Sequence, residues 1–115
     1  MSEQPARLKS EIWVKAQIRI CDVQSIPAFV RHRGDSEAGT VILLLDDLKG
    51  NVQVFSTAFD AEGQRGWLPA HGATPMSPPE AEAYLGRRMN VDPDIWVVEI
   101  EDPQDHYVLD GPILK

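Results

Sequence analysis

Cysteine is almost absent from this chain. Cys21 is the only one in 115 residues, which excludes an internal disulfide and suits a reducing compartment. Without a Cys-x-x-Cys partner or an adjacent base it reads as a small, buried apolar side chain. Long apolar runs are missing too. The longest, residues 41–45, falls far short of the roughly 20 residues that span a bilayer, so no membrane contact is expected. The opening Met-Ser-Glu-Gln-Pro lacks a charged segment followed by an apolar stretch, so no secretory signal is expected and the cytoplasm is the default address. Histidine is scarce and scattered, and His32, His71 and His106 show no metal-ligand spacing such as His-Glu-x-x-His. No Gly-x-Gly-x-x-Gly, phosphate-loop lysine or Gly-x-Ser-x-Gly elbow occurs. No cofactor is therefore expected, and no motif supports an enzyme.

Positive charge is the minority. Eleven Lys and Arg against 18 Asp and Glu give a net charge of −7, a surface that phosphate backbones repel, so nucleic acid is not an expected partner. The imbalance is uneven along the chain. Arg7, Lys9, Lys15, Arg19, Arg31 and Arg33 lie in the first third, whereas Asp92, Asp94, Glu99, Glu101, Asp102, Asp105 and Asp110 crowd the last quarter. The two ends are expected to approach each other and partly neutralise. An apolar fraction of 43% and a charged fraction of 25% are ordinary for a globular protein. Residues 1–115 read as a single domain, with 1–6 a frayed terminus.

Residues 10–23 carry two signals. Ile12, Val14, Ala16, Ile18 and Ile20 alternate with polar residues as in a half-buried strand, and pattern alone leans that way. Yet Ser10 suits a helix cap, Glu11 its first turn, and Trp13, Ala16, Ile20 and Val23 share one helical face. Residues 26–33 read as a strand, 40–45 as a central strand, and 52–56 as the returning arm of a hairpin. Residues 65–69 suggest a short strand and 106–109 a final one. Ser77-Pro78-Pro79-Glu80 is a capping box with proline at the first helical position. Ala81, Tyr84, Leu85 and Met89 follow as an apolar stripe, with Asn90 suited to close the helix in a left-handed conformation. Residues 94–101 then form a strand, with Trp96, Val98 and Ile100 on one face and Ile95, Val97, Glu99 and Glu101 on the other.

Three constellations bear on function. Arg31 and Arg33, two apart on a strand, point the same way and suit a carboxylate or phosphate, with Gly34 allowing close backbone approach. Their competing role is pairing with the acidic strand at Glu99 and Glu101. Those carboxylates with Asp92, Asp94 or Asp102 are numerous enough for a divalent cation, but an acidic edge that discourages sheet-to-sheet pairing is the better reading, and no metal is expected. Among the tryptophans, Trp67 on a short strand is the candidate anchor of a partner interface, because indole offers large contact area at low entropic cost.

Arg7-Leu8-Lys9-Ser10-Glu11-Ile12-Trp13-Val14, then Arg31-His32-Arg33-Gly34-Asp35 through Ala38-Gly39, then Asp92-Pro93-Asp94-Ile95-Trp96-Val97-Val98-Glu99-Ile100-Glu101-Asp102 resemble, in order and spacing, a family of small alphaproteobacterial proteins, domain of unknown function 1491. The resemblance covers nearly the whole chain and implies a bacterial cytosolic single-domain protein with no known activity, so it transfers no functional residue. It also implies a helix after the Trp-Val pair, which decides residues 10–23 as helical and leaves Ile18 off the main apolar face. The expected fold is α+β: a mainly antiparallel sheet of four to six strands with two helices packed on one face. The expected function is a small cytosolic binding or accessory protein acting through contacts with an unidentified protein partner. The alternative is a small-ligand or anion-binding protein, catalytic or not, using Arg31 and Arg33 near Glu99 and Glu101.

Overall fold

A computed structural model describes residues 9–114; the expectation of a frayed terminus at 1–6 lies outside these residues. The chain runs α1 (Ser10–Val23), β1 (Ala28–His32), β2 (Val41–Asp46), β3 (Val52–Phe59), β4 (Arg65–Ala73), α2 (Pro78–Val91) and β5 (Trp96–Glu101). The sheet order is β1-β5-β2-β3-β4. All neighbours are antiparallel except β2 and β5, which run parallel with Val41 opposite Trp96. The expected α+β class and mostly antiparallel sheet are thus observed. The last strand inserts between β1 and β2 because the chain returns through α2, the crossover that a parallel neighbour requires.

The helices lie on opposite faces, which corrects the expectation that both pack on one. Trp13, Val14 and Cys21 of α1 join Val41, Leu43, Trp96, Val98 and Ile100 in one core. Ala81 and Leu85 of α2 join Ile42, Leu44, Ile95 and Val97 in another. Successive strand side chains point to opposite faces, so a strand covered on both sides needs apolar residues at every position. The unbroken runs at 41–45 and 95–98 meet that requirement.

The buried face of α1 also differs from expectation. Trp13, Val14, Gln17 and Cys21 are buried, and Ile18 packs partly against the same core. Ala16, Ile20 and Val23, expected to share the inner face with Trp13, are exposed. Ser10 is not the cap: Lys9 holds the cap position without a side-chain bond, and Ser10 Oγ donates to the Gly39 carbonyl at 2.6 Å. Helix α2 forms as its capping box dictates, with the Glu80 amide donating to Ser77 Oγ and the Ser77 amide to Glu80 Oε1. It runs through Asn90 to Val91 and closes on Asp92 in an extended conformation, so Asn90 has no left-handed role.

Strand β4 is longer than the expected 65–69, since as an edge strand it tolerates Pro69, which has no amide to donate. Residues 106–109 form no strand. They belong to a strap held by side chains: Asp102 accepts the amides of His106 and Tyr107 (2.9 and 2.7 Å), and Tyr107 Oη donates to buried Gln17. Cys21 is fully buried, and burial followed by the Asp102 carboxylate pushes its thiol up, which fits a packing role.

Removing the α2 cap with Ser77→Ala is expected to cost about 1 kcal/mol. Gly86→Ala, in open space on the exposed side of α2, is expected to stabilise by about 0.5–1 kcal/mol. Urea titration of the two variants checks both.

Candidate functional site

Arg31 and Arg33 do not point the same way. The β1–β5 register slips between Val30 and His32, and the extra residue of this β-bulge turns the following side chain to the other face. Arg31 reaches the α2 side, where Nη1 and Nη2 donate to both oxygens of Glu82 at 2.7 and 2.8 Å and Nη1 also reaches Glu99 at 3.1 Å. Arg33 reaches the α1 side, donates to Glu11, and lies 5.3 Å from the centre of the Trp96 ring. The expected approach of basic and acidic regions is realised here, though through helix carboxylates as well as the strand.

The two acids around Arg31 respond in opposite directions. The Arg31 hydrogen bond holds Glu82 below the usual carboxylate range. Glu99 is pushed up, first by burial and then by Asp46 and Glu101, which together outweigh its attraction to Arg31. Among the described residues no three of His, Cys, Asp and Glu gather to hold a metal. Asp102 is committed to the strap and Glu99 to Arg31.

The close backbone approach at Gly34 is internal. A Cβ there would lie 2.3 Å from the Asp94 carbonyl oxygen and 2.6 Å from Ile95 C, and a Cβ at Gly39 would lie 2.5 Å from the same oxygen. The Asp35 amide donates to that oxygen at 2.9 Å, Trp96 Nε1 donates to the Asp35 carbonyl at 2.7 Å, and His32 Nδ1 sits 2.7 Å from the Ile95 carbonyl. The amides of Ser10 and Glu11 bond the carbonyls of Glu37 and Ser36, replacing the missing cap of α1. All three segments that carry the family resemblance therefore meet in one clasp.

Trp67 is not an exposed anchor. It is 0% exposed, its indole donates to the Asp110 carbonyl at 2.8 Å, and its ring centre is 5.2 Å from that of Trp13. The Arg65 guanidinium lies 4.6 Å from the Trp13 ring centre and 5.4 Å from that of Trp67. The strand that carries Trp67 is an edge by hydrogen bonding, but residues 112–114 run beside it, with Trp67 N bonded to the Pro112 carbonyl.

An exposed apolar strip lies instead on α1. Ile12, Ile20 and Val23 are 49%, 44% and 72% exposed, and Ala16 is exposed between them. Their spacing places all four within about 80° of the helix circumference. Sequence periodicity does not tell this strip from the buried one, because an outer and an inner apolar stripe both show helical spacing. Two open clefts accompany it. One, of about 430 Å³, lies between α1 and β1; the other, of about 490 Å³, lies among the loops bearing Asp47, Lys49 and Asp105. Neither is lined by Arg31, Arg33 or Glu99.

A family model described as protein of unknown function (DUF1491) matches residues 8–110. The chain belongs to this family. The crystal structure of a DUF1491 family protein from Caulobacter crescentus CB15 is 36% identical and superposes with a TM-score of 0.82, covering 94% of this chain and 100% of that one. An NMR structure of a DUF1491 family protein from the same organism gives 0.80 at 36% identity, over 96% and 100%. A protein from A. tumefaciens, solved in solution, gives 0.78 at 25% identity over 96% and 98%. No curated protein matches. The DUF1491 resemblance and fold class read from the sequence are therefore borne out. Among the described residues no helix is long and apolar enough to cross a membrane.

Gly34→Ala forces a methyl against backbone that has no room to yield, so a loss at the upper end of about 1–3 kcal/mol is expected in urea unfolding. For the acids around Arg31, the lowered Glu82 contributes stability above its unfolded pKa that is lost as pH falls through its folded pKa. The raised Glu99 contributes in the opposite sense, favouring folding at low pH and losing that contribution as pH rises through its folded pKa. Glu82→Gln should therefore cost up to about 1 kcal/mol near neutral pH, a modest figure because Glu82 is 57% exposed. Glu99→Gln should be neutral or stabilising there, and unfolding curves between about pH 4 and 7 separate the two.

Proposed function

We propose that this DUF1491 protein is a small, non-enzymatic binding or accessory protein that acts through protein contacts, with the outer face of α1 as its contact surface. The observation that supports this is the aligned exposure of Ile12, Ala16, Ile20 and Val23 on a helix whose opposite side already fills the core. Scattered exposed apolar residues are ordinary; four in register on one helix form a continuous strip, and such strips mark interaction sites. The ligand or anion alternative loses its motive, because Arg31 is engaged by Glu82 and Glu99, Arg33 by Glu11, and the two side chains lie on opposite faces.

Replacing Ile20 by Glu places a charge in the middle of the strip. Stability is expected to change by no more than about 0.5 kcal/mol, since the site is on the surface. An affinity-tagged wild-type chain should retain host proteins that the Ile20→Glu chain does not. Identical retained sets, with both chains folded, would overturn the assignment of this surface.

A further inference from the structure

A second surface, on the other flank of α1, has a more specific chemistry. Strand β1 is an edge: it pairs with β5 on one side only. The Pro27 carbonyl accepts from Glu101 N, and Ala28 and Val30 lie opposite Ile100 and Val98. In an antiparallel ladder, backbone groups alternate between inward and outward. The amide and carbonyl of Ala28 and of Val30 therefore face away from the sheet. Phe29 and Val30 are 43% and 41% exposed. No strap covers this edge among the described residues, in contrast to β4 with residues 112–114 beside it.

Beside this edge lies the cleft of about 430 Å³ between α1 and β1. Its apolar lining includes Ile18, Ile26 and Ala28, and its charged lining is Lys15, Arg19 and Asp22. Val30 pairs with Val98 of the α1-side core, so a strand added next to β1 places every second side chain over this cleft. Arg19 makes no ion pair among the described residues. Lys15 only approaches Glu11 at 3.9 Å, an acid already engaged by Arg33. On a chain of net charge −7, Lys15 and Arg19 against Asp22 leave this lining with an excess of one positive charge next to open backbone donors and acceptors.

We propose that β1 and the α1–β1 cleft accept an extended segment of a partner protein as a sixth strand, and that the segment alternates apolar and acidic residues. Backbone bonds to Ala28 and Val30 hold it, in the strand-addition mode of peptide recognition. Its acidic side chains point into the cleft and meet Lys15 and Arg19, and its apolar ones point to the other face, where Phe29 is exposed. The bulge at Val30–His32 ends the acceptor edge, which limits the docked segment to a few residues and keeps the edge from pairing at length with other sheets. The proposal rests on the protein-contact reading but uses a different surface from the outer strip of α1.

The test uses the full chain and two synthetic hexapeptides with blocked ends, one alternating Glu and Val, the other Lys and Val. With the Glu–Val peptide at millimolar concentration, amide hydrogen exchange at Ala28 and Val30 is expected to slow at least tenfold, with little change elsewhere in the sheet. The Lys–Val peptide is expected to give no slowing. Val30→Pro removes an outward amide without removing a β1–β5 bond, so it should leave the fold intact and abolish the effect. Arg19→Glu should reverse the peptide preference. Equal response to both peptides would overturn the charge assignment. No response to either would overturn the strand-acceptor site, while retention by the Ile20-containing strip would leave the protein-contact reading standing. Slowing that appears with rising protein concentration and no peptide would also overturn it, since a second copy of the chain would then be the occupant.

Discussion

The carbonyl oxygen of Asp94 accepts the Asp35 amide and occupies the space that side chains at positions 34 and 39 would need. Only glycine leaves that space empty, so the loop from β1 to β2 can press backbone to backbone on the entrance of β5. Much follows from this contact. It positions the Asp35 carbonyl to receive the Trp96 indole, which fixes the first side chain of β5, the strand between β1 and β2. It also brings the carbonyls of Ser36 and Glu37 over the first turn of α1, where they satisfy amides that no side chain caps.

The same arrangement explains why residues that look chemically active are structural. Arg31 and Arg33 tie the edge strand to the two helices on opposite faces, through Glu82 and Glu11 respectively. Asp102 turns the chain into the strap, and Asp110 receives the indoles of both Trp13 and Trp67, one on its carboxylate and one on its carbonyl. Each of these groups is engaged by at least one partner within the chain. The outer strip of α1 and the edge of β1, with Arg19 beside it, stay open. That distribution supports the proposed recognition of another polypeptide.

Much of the fold was legible in the sequence where a local signal had a single meaning. The capping box and proline at residues 77–80 gave α2, and the unbroken apolar runs gave the two central strands. Helix α1 was not legible from pattern, because Ile12, Val14, Ala16, Ile18 and Ile20 satisfy strand alternation; the family resemblance decided it. Its inner face was misjudged because two apolar stripes share the helix and periodicity does not say which one meets the sheet. The placement of the helices on both faces was readable in principle, since residues 41–45 and 95–98 lack the polar alternation of a sheet with one wet side. The bulge that separates Arg31 from Arg33 left no mark in composition. The burial of Trp67 depends on Trp13, Arg65 and Asp110, which are brought together only by tertiary structure.

The clasp around Asp94 is part of the global fold and not a loop resting on its surface. Native-state hydrogen exchange measured by NMR tests this at two protons, the Asp35 amide and the Trp96 indole N–H. Both are expected to exchange only through global unfolding, with the same denaturant dependence as the buried amides of Val98 and Ile100. Fast exchange of the two protons, independent of denaturant while Val98 and Ile100 stay protected, would contradict it.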